Sequence, residues 1–361
     1  MALDRLTLSR FRNHGDTALE GTAQFNLLVG ENGAGKTNVL EAISLLAPGR
    51  GLRRAPPADM AQVRALGGFI VGATLAQPAG AEPVRLGTFA RLDQPTRRRV
   101  QINGAEASAN ALGEWLALGW LTPAMDRLFS DSAGARRRYL DRMVLALEPA
   151  HAQHSARYES ALRERNRLLA DERESDPAWL EGVEQHLARY GSLIAEARER
   201  TVAALAAELA LLPPEPFALP VIMLQPGGPL NQTDLAEALA ASRRRDRQAG
   251  RTLVGPHRDE LLVSMAGKDM AAADCSTGEQ KAMLIALTLA HGSLAASGRP
   301  GVLLLDEVAA HLDPVRRGAL FDRLRAGASQ VWMTGTELAP FADIRREAAI
   351  WQVVQGQIRP V

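Results

Sequence analysis

The stretch that decides the fold is GENGAGKTNVLEAI, residues Gly30 to Ile43. Gly30-Glu31-Asn32-Gly33-Ala34-Gly35-Lys36-Thr37 fits the spacing G-x-x-x-x-G-K-[ST] in full. The context fits as well. AQFNLLVG (23–30) reads as a strand that runs into the loop, and NVLEAISLLA (38–47) reads as the helix that leaves it. Glycines let backbone N–H groups turn inward on phosphate oxygens, and the helix N-terminus adds its dipole. In such a cradle Lys36 reaches the β and γ phosphates, and the Thr37 hydroxyl takes a Mg2+ position. Lys36, Lys268 and Lys281 are the only lysines; every other basic side chain besides histidine is arginine. A compact ammonium in the loop is therefore not a by-product of composition, and a guanidinium would not replace it.

A phosphate loop of this type predicts a second buried strand that ends in an acid. GVLLLDE (301–307) is an unbroken apolar run of the kind found in parallel sheets. Its last residues are Asp306, placed to hold Mg2+, and Glu307, placed to polarise a water for in-line attack on the γ-phosphate. Further on, Asp313 precedes Pro314 and reads by itself as the N-cap of a helix. Upstream lies DCSTGEQKAMLIALTLAHG (274–292), a polar turn that opens onto a very apolar helix. Alone, Ser276-Thr277-Gly278-Glu279-Gln280 is also a helix cap. With VLLLDEVAAHLD about 20 residues later, it resembles the signature motif of ABC-type ATPases, usually written LSGGQ. That resemblance implies a composite site. Ser276, the Gly278 backbone N–H and the helix start would face the γ-phosphate held by Lys36 of a second subunit, and Asp313 would be a D-loop residue.

The chain of 361 residues exceeds the usual size of one core, and 46% hydrophobic residues suffice to bury more than one. LDRLTL (3–8) and residues 69–75, 84–91, 97–102, 219–224, 251–265 and 330–336 read as strands; residues 106–121 are mixed. From about 135 the pattern turns helical, with helices over 135–149, 151–172 and 231–248. After Pro177, apolar or small residues recur at Leu180, Val183, Leu187, Tyr190, Ile194 and Ala197, a coiled-coil spacing that stops at Pro213-Pro214. About 35 helical residues give roughly 50 Å, a short arm and not a rod. The expected fold is α/β: a P-loop ABC-type ATPase head, a mixed sheet with flanking helices, built from 1–135 and 215–361. It is interrupted by an inserted α-helical arm, 136–214.

Several stretches carry a closer resemblance, to the RecF family of bacterial recombination mediators among the SMC/Rad50-type ABC ATPases. LTLSRFRNH (6–14), the extended loop with Asn38 and Glu41, LTPAMDRLFSDSAGARRRYLD (121–141), GPHRDEL (255–261), CSTGEQKA (275–282) and TGT (334–336) all occur in the family's order. The segment Pro123-Ala124-Met125-Asp126 lacks the acidic pair usual after the proline, and no glutamine loop is readable. The resemblance implies a weak, DNA-stimulated ATPase with ATP and Mg2+ as cofactors and Asn38 among the nucleotide-binding residues. It also implies an ATP-dependent homodimer that binds DNA at gaps and junctions between single and double strands. Such a protein works with RecR and RecO to load RecA, and supports recombinational repair, replication restart and the SOS response.

With 42 Lys+Arg against 41 Asp+Glu, overall charge does not point to DNA, so any DNA face has to be local. Arg97-Arg98-Arg99, Arg136-Arg137-Arg138 and Arg243-Arg244-Arg245 are candidate phosphate contacts. The lone cysteine, Cys275, leaves no intramolecular disulfide or cysteine-cluster metal site, which fits a reducing cytosol. No run of about 18 apolar residues predicts a membrane span, and the N-terminus has no signal-peptide pattern; the expectation is cytoplasmic. Two alternatives share the core motifs: an ABC transporter ATPase subunit, and a DNA-structural protein that binds ATP without turnover.

Overall fold

A computed structural model describes residues 2–62, 68–76, 82–171, 176–213, 215–268, 270–296 and 298–361. In chain order come strands β1 (Leu3–Phe11), β2 (His14–Glu20) and β3 (Phe25–Val29), helix α1 (Lys36–Ser44) and the single turn α2 (Pro57–Met60). Strands β4 (Phe69–Leu75), β5 (Val84–Arg91), β6 (Gln94–Ile102), β7 (Ala105–Ala107) and β8 (Ala117–Leu121) follow. Then come helices α3 (Ala133–Leu147), α4 (His151–Ala170) and α5 (Pro177–Ala210), strand β9 (Pro220–Gln225) and helix α6 (Gln232–Ala249). The chain closes through β10 (Glu260–Met265), β11 (Met270–Ala271), α7 (Thr277–Ala295), β12 (Gly301–Leu305), α8 (Pro314–Ala326), β13 (Gln330–Gly335), β14 (Ala348–Val354) and β15 (Gln357–Pro360).

Two compact units result. The first comprises 1–126, 213–217 and 284–361 and contains two six-stranded sheets. One has the order β2-β1-β4-β5-β6-β7 with antiparallel pairing throughout. Its strands alternate buried and less buried residues, as in β4 and β5, because only one face meets the core. The other has the order β15-β14-β3-β13-β12-β8, parallel from β14 to β8, with β15 as an antiparallel edge. Every residue of β3, β12 and β13 is buried, which is why β12 reads as an unbroken apolar run and the other two are mostly apolar. Trp332 of β13 stacks on Trp351 of β14 with ring centroids 5.5 Å apart. The parallel order β3-β13-β12 brings the C-terminal ends of three strands to one sheet edge, where open α/β sheets bind ligands.

The second unit comprises 127–212 and 218–283: the helices α3 to α6, the small sheet β11-β10-β9 and the first turns of α7. The spacing read along α5 is the packed one, with Leu180, Leu187, Tyr190, Ile194 and Ala197 buried. The boundary expected at 215 is displaced. Pro214, the last residue of the expected arm, lies outside the described residues, as does residue 172 at the end of the second expected helix. Residues 218–283 group with the helices because Leu235 and Leu239 of α6 share a core with Tyr158, Leu187 and Ile194. The strand expected over 251–265 begins only at Glu260. Gly255 has φ +125 and the turn Pro256–Arg258 is 3-10, so the chain bends before it can pair.

One guanidinium ties the helices together. Arg165 of α4 is fully buried and donates to Glu184 of α5 at 3.0 Å, to Asp246 of α6 at 2.7 Å and to the Thr252 hydroxyl at 2.8 Å. Its last donor reaches the Leu239 carbonyl at 2.7 Å. With every donor met, a buried ion pair is tolerable; removing the cation leaves two carboxylates in an apolar interior. Replacing Arg165 with Met should destabilise the helical unit by about 3–5 kcal/mol, measured as a lower urea midpoint in far-ultraviolet dichroism.

Candidate nucleotide site

The loop between β3 and α1 is braced from behind. Gly35 has φ +117, and a Cβ there would fall 2.7 Å from the Asn13 side chain. At Gly30 a Cβ would fall 2.1 Å from the Val353 carbonyl oxygen, so neither position accepts a side chain. Asn13 Nδ2 donates to the Ala34 carbonyl at 2.9 Å, and Asn38 Nδ2 donates to Asn13 Oδ1 at 2.7 Å. Arg12 forks onto Glu41 with contacts of 2.9 and 2.6 Å, and Arg53 reaches the same carboxylate at 2.9 Å. Glu41 is fully buried, so α1 is locked to the FRN segment by a paired charge. The start of α1 carries no side-chain cap, which leaves its first N–H groups for an anion.

Lys36 is buried against this loop, with Nζ donating to the carbonyls of Gly30 at 2.6 Å and Glu31 at 2.9 Å. Burial pushes its pKa down, and the nearby carboxylates of Glu307 and Asp306 oppose that shift. Thr37 Oγ1 lies 2.9 and 3.2 Å from the two oxygens of Asp306. Thr334, at the end of β13, donates from Oγ1 to Asp306 Oδ1 at 2.8 Å and accepts the Glu307 N–H at 2.9 Å. Glu307 has φ +55, a conformation that a residue with a side chain holds only when its surroundings impose it. The Thr334 hydroxyl imposes it here, because it fixes the Glu307 amide while the preceding carboxylate is held from the other side. Lys36, Thr37, Asp306 and Glu307 thus converge at the edge formed by β3, β13 and β12.

The signature stretch belongs to the helical unit. Ser276 and Glu279 form a reciprocal capping box: Ser276 N–H and Oγ donate to Glu279 Oε2 at 3.0 and 2.9 Å, and the Glu279 N–H returns to Ser276 Oγ at 3.3 Å. Ser276, Thr277 and Gly278 are exposed, and nothing lies within 4 Å of a Cβ built on Gly278. Gln280 turns inward, where its Nε2 donates to the Cys275 carbonyl at 2.9 Å and steadies the turn.

The arginine clusters divide, and five of their nine members contact other protein groups. Arg98 donates to the carbonyls of Leu45, Ala47 and Gly49 behind α1, and burial lowers its pKa to about 10. Arg99 lies beside Gln94 and Glu106, Arg136 is paired with Glu260, Arg137 donates to the Asp259 carbonyl, and Arg243 forks onto Glu184. These five face protein, whereas Arg97, Arg138, Arg244 and Arg245 are exposed. Asp313 caps α8, accepting the Arg316 N–H at 3.0 Å. Sequence reasoning gave no role to Thr334, Arg12, Asn13 or Arg53, although TGT and FRN carried the only available signal.

The chain matches the family described as RecF/RecN/SMC N terminal domain over residues 2–358. It is 47% identical over 374 residues to the DNA replication and repair protein RecF of Mesorhizobium japonicum, covering 99% of this chain and 97% of that one. The protein of the same description from Rhizobium leguminosarum bv. trifolii is 44% identical, covering 99% and 98%. Among solved structures, "Structure of the recombination mediator protein RecF-ATPrS in RecFOR pathway" superposes with a TM-score of 0.87 at 22% identity, covering 99% of this chain and 98% of that one. A Pyrococcus furiosus Smc head domain superposes at 0.54 with 18% identity, covering 100% of this chain and 96% of that one. The fold is therefore that of an ABC-type ATPase head, and full-length likeness to repair proteins outweighs the transporter alternative. The chain belongs to the RecF family of DNA replication and repair proteins.

Proposed function

We propose that the chain is an ATP-driven DNA-binding switch of recombinational repair and replication restart, active as a dimer and weakly hydrolytic. The observation that carries this reading is the convergence of Lys36, Thr37, Asp306 and Glu307 at one sheet edge, with Thr334 fixing the last two. The residues present fit ATP with Mg2+. The uncapped start of α1 and the Lys36 ammonium suit phosphate oxygens. The Thr37 hydroxyl and the Asp306 carboxylate are already in contact where a cation would join them. Among the described residues there is no cluster of three His, Cys, Asp or Glu, and Mg2+ needs none, since phosphates and water complete its shell. When bound, ATP with Mg2+ supplies the electrophilic γ-phosphoryl group and the neutralisation of its charge.

Lys36 then exchanges the Gly30 and Glu31 carbonyls for phosphate. Thr37 and Asp306 would hold the metal ion, and the Glu307 carboxylate would take a proton from the attacking water. Ser276 and Gly278 of a second copy would close the site, so that two chains would build two sites. The relatives are DNA replication and repair proteins, and one solved neighbour is described as a recombination mediator in the RecFOR pathway. On that basis we take the partners to be DNA at gaps and single-strand/double-strand junctions, RecR and RecO, with RecA loading and the SOS response downstream, in the cytoplasm. No described helix is long and apolar enough to cross a membrane. DNA phosphates fall to the exposed Arg97, Arg138, Arg244 and Arg245.

Replacing Glu307 with Gln should lower phosphate release by about 100-fold or more while an ATP-bound dimer accumulates in sedimentation velocity. Unchanged turnover would show that Glu307 is not the base. Replacing Arg244 and Arg245 together with Ala should flatten the log–log salt dependence of gapped-duplex binding by about 2, read by fluorescence anisotropy. An unchanged slope would remove both from the interface.

A further inference from the structure

The signature turn contains a conflict that its composite-site role has to resolve. Ser276 spends its hydroxyl proton on Glu279 Oε2 at 2.9 Å, and Glu279 adds a carboxylate at the point where a γ-phosphate would arrive. Asp274, two residues before Ser276, adds a second acid to the same turn. Two anions brought together in this way repel unless a cation lies between or beside them. One does. Lys268, in the turn that follows β10, places Nζ 2.5 Å from Glu279 Oε1, while the other oxygen of the same carboxylate holds Ser276. Its side chain is half exposed, so the contact lies at the surface with Ser276, Thr277 and Gly278. Lys281 cannot substitute, because residues two apart on a helix do not face each other.

We propose that Lys268 is a positioning residue of the signature motif. It holds Glu279 as a neutralised pair, so that Ser276 can hand its hydroxyl proton from the carboxylate to the γ-phosphate bound by another copy. Without the ammonium, the capping box keeps Ser276 and confronts the phosphate with an uncompensated charge. The inference rests on the composite-site reading above. Bond changes are limited to hydrogen bonds: the Ser276 O–H moves its acceptor from Glu279 Oε2 to a phosphate oxygen, and Glu279 remains paired with Lys268. The scarcity of lysine fits this arrangement, since two of only three in the chain then serve phosphate binding.

The test is a charge cycle in the full-length protein with K268A, E279Q and the double variant, read as the dissociation constant of the ATP-driven dimer in sedimentation velocity. Glutamine keeps the capping-box acceptor and removes the charge. K268A should weaken the dimer by about tenfold or more; E279Q should tighten it; and the double variant should recover from the K268A defect. Affinity of each monomer for a fluorescent ATP analogue, which the chain's own loop sets, should stay at the parent value in all three. A double variant as weak as K268A, or K268A that dimerises like the parent, overturns the proposal. Ser276→Arg run alongside separates the two levels. If it abolishes dimerisation while K268A has no effect, only the role of Lys268 falls; if it dimerises normally, the composite-site reading falls first.

Discussion

The chemistry of the head hangs on one carboxylate and the two hydroxyls that flank it. Asp306 follows the buried strand β12 and meets Thr37 from the phosphate loop and Thr334 from β13. Thr37 and Asp306 alone lie 269 positions apart in the chain. Only the parallel order β3-β13-β12 brings them to one edge. The same Thr334 hydroxyl that donates to Asp306 accepts the Glu307 amide, and that second bond holds Glu307 at its positive φ. The Asp306 carboxylate and the Glu307 backbone are therefore both held by one side chain on β13. A hydroxyl suits this position because it can donate and accept at once.

The phosphate loop needs a similar support, and its solution is a buried charge. A loop that turns its amides outward gives up internal hydrogen bonds, and something else has to fix its shape. Here the FRN segment does so through Asn13, while Arg12 and Arg53 enclose the fully buried Glu41 of α1. The cost of desolvating Glu41 is offset because both cations and their hydrogen bonds come preplaced. The glycines at 30 and 35 belong to the same arrangement, since Val353 and Asn13 already occupy the space a Cβ would take.

Most of this site could be read in the sequence, and the unread parts have a common cause. Gly30 to Thr37 and Asp306-Glu307 are local patterns whose spacing alone specifies a strand, a turn and a helix. Buried parallel strands also announced themselves as apolar runs, as in VLLL. What stayed hidden depends on pairing across the sheet. Thr334 is one threonine in an apolar strand until β13 is inserted between β3 and β12. The arginine clusters misled for the same reason: three adjacent arginines look alike in sequence, yet alternation on β6 sends Arg98 against α1 and leaves Arg97 in water. The place of α6 was hidden because it looks like any amphipathic helix, and its core shared with Tyr158, Leu187 and Ile194 and the pairing of Asp246 with Arg165 exist only in the fold.

Under the proposed composite site, a structural and a ligand-contacting reading would both hold for Ser276. S-x-x-E is the sequence of a capping box, and the Ser276 and Glu279 contacts are those of a capping box. A cap satisfies the orphan amides of the first helical turn, and a phosphate in the same place would satisfy them too. Capped helix and phosphate contact are then two states of one hydroxyl, distinguished by which anion accepts its proton. In the chain itself the Glu279 contacts close this turn. In the proposed dimer, closure would exchange one acceptor for another at the same donor, so the gain on binding would be a difference between two similar bonds. A small difference favours a reversible switch over a permanent dimer, because neither state is left with an unpaired group.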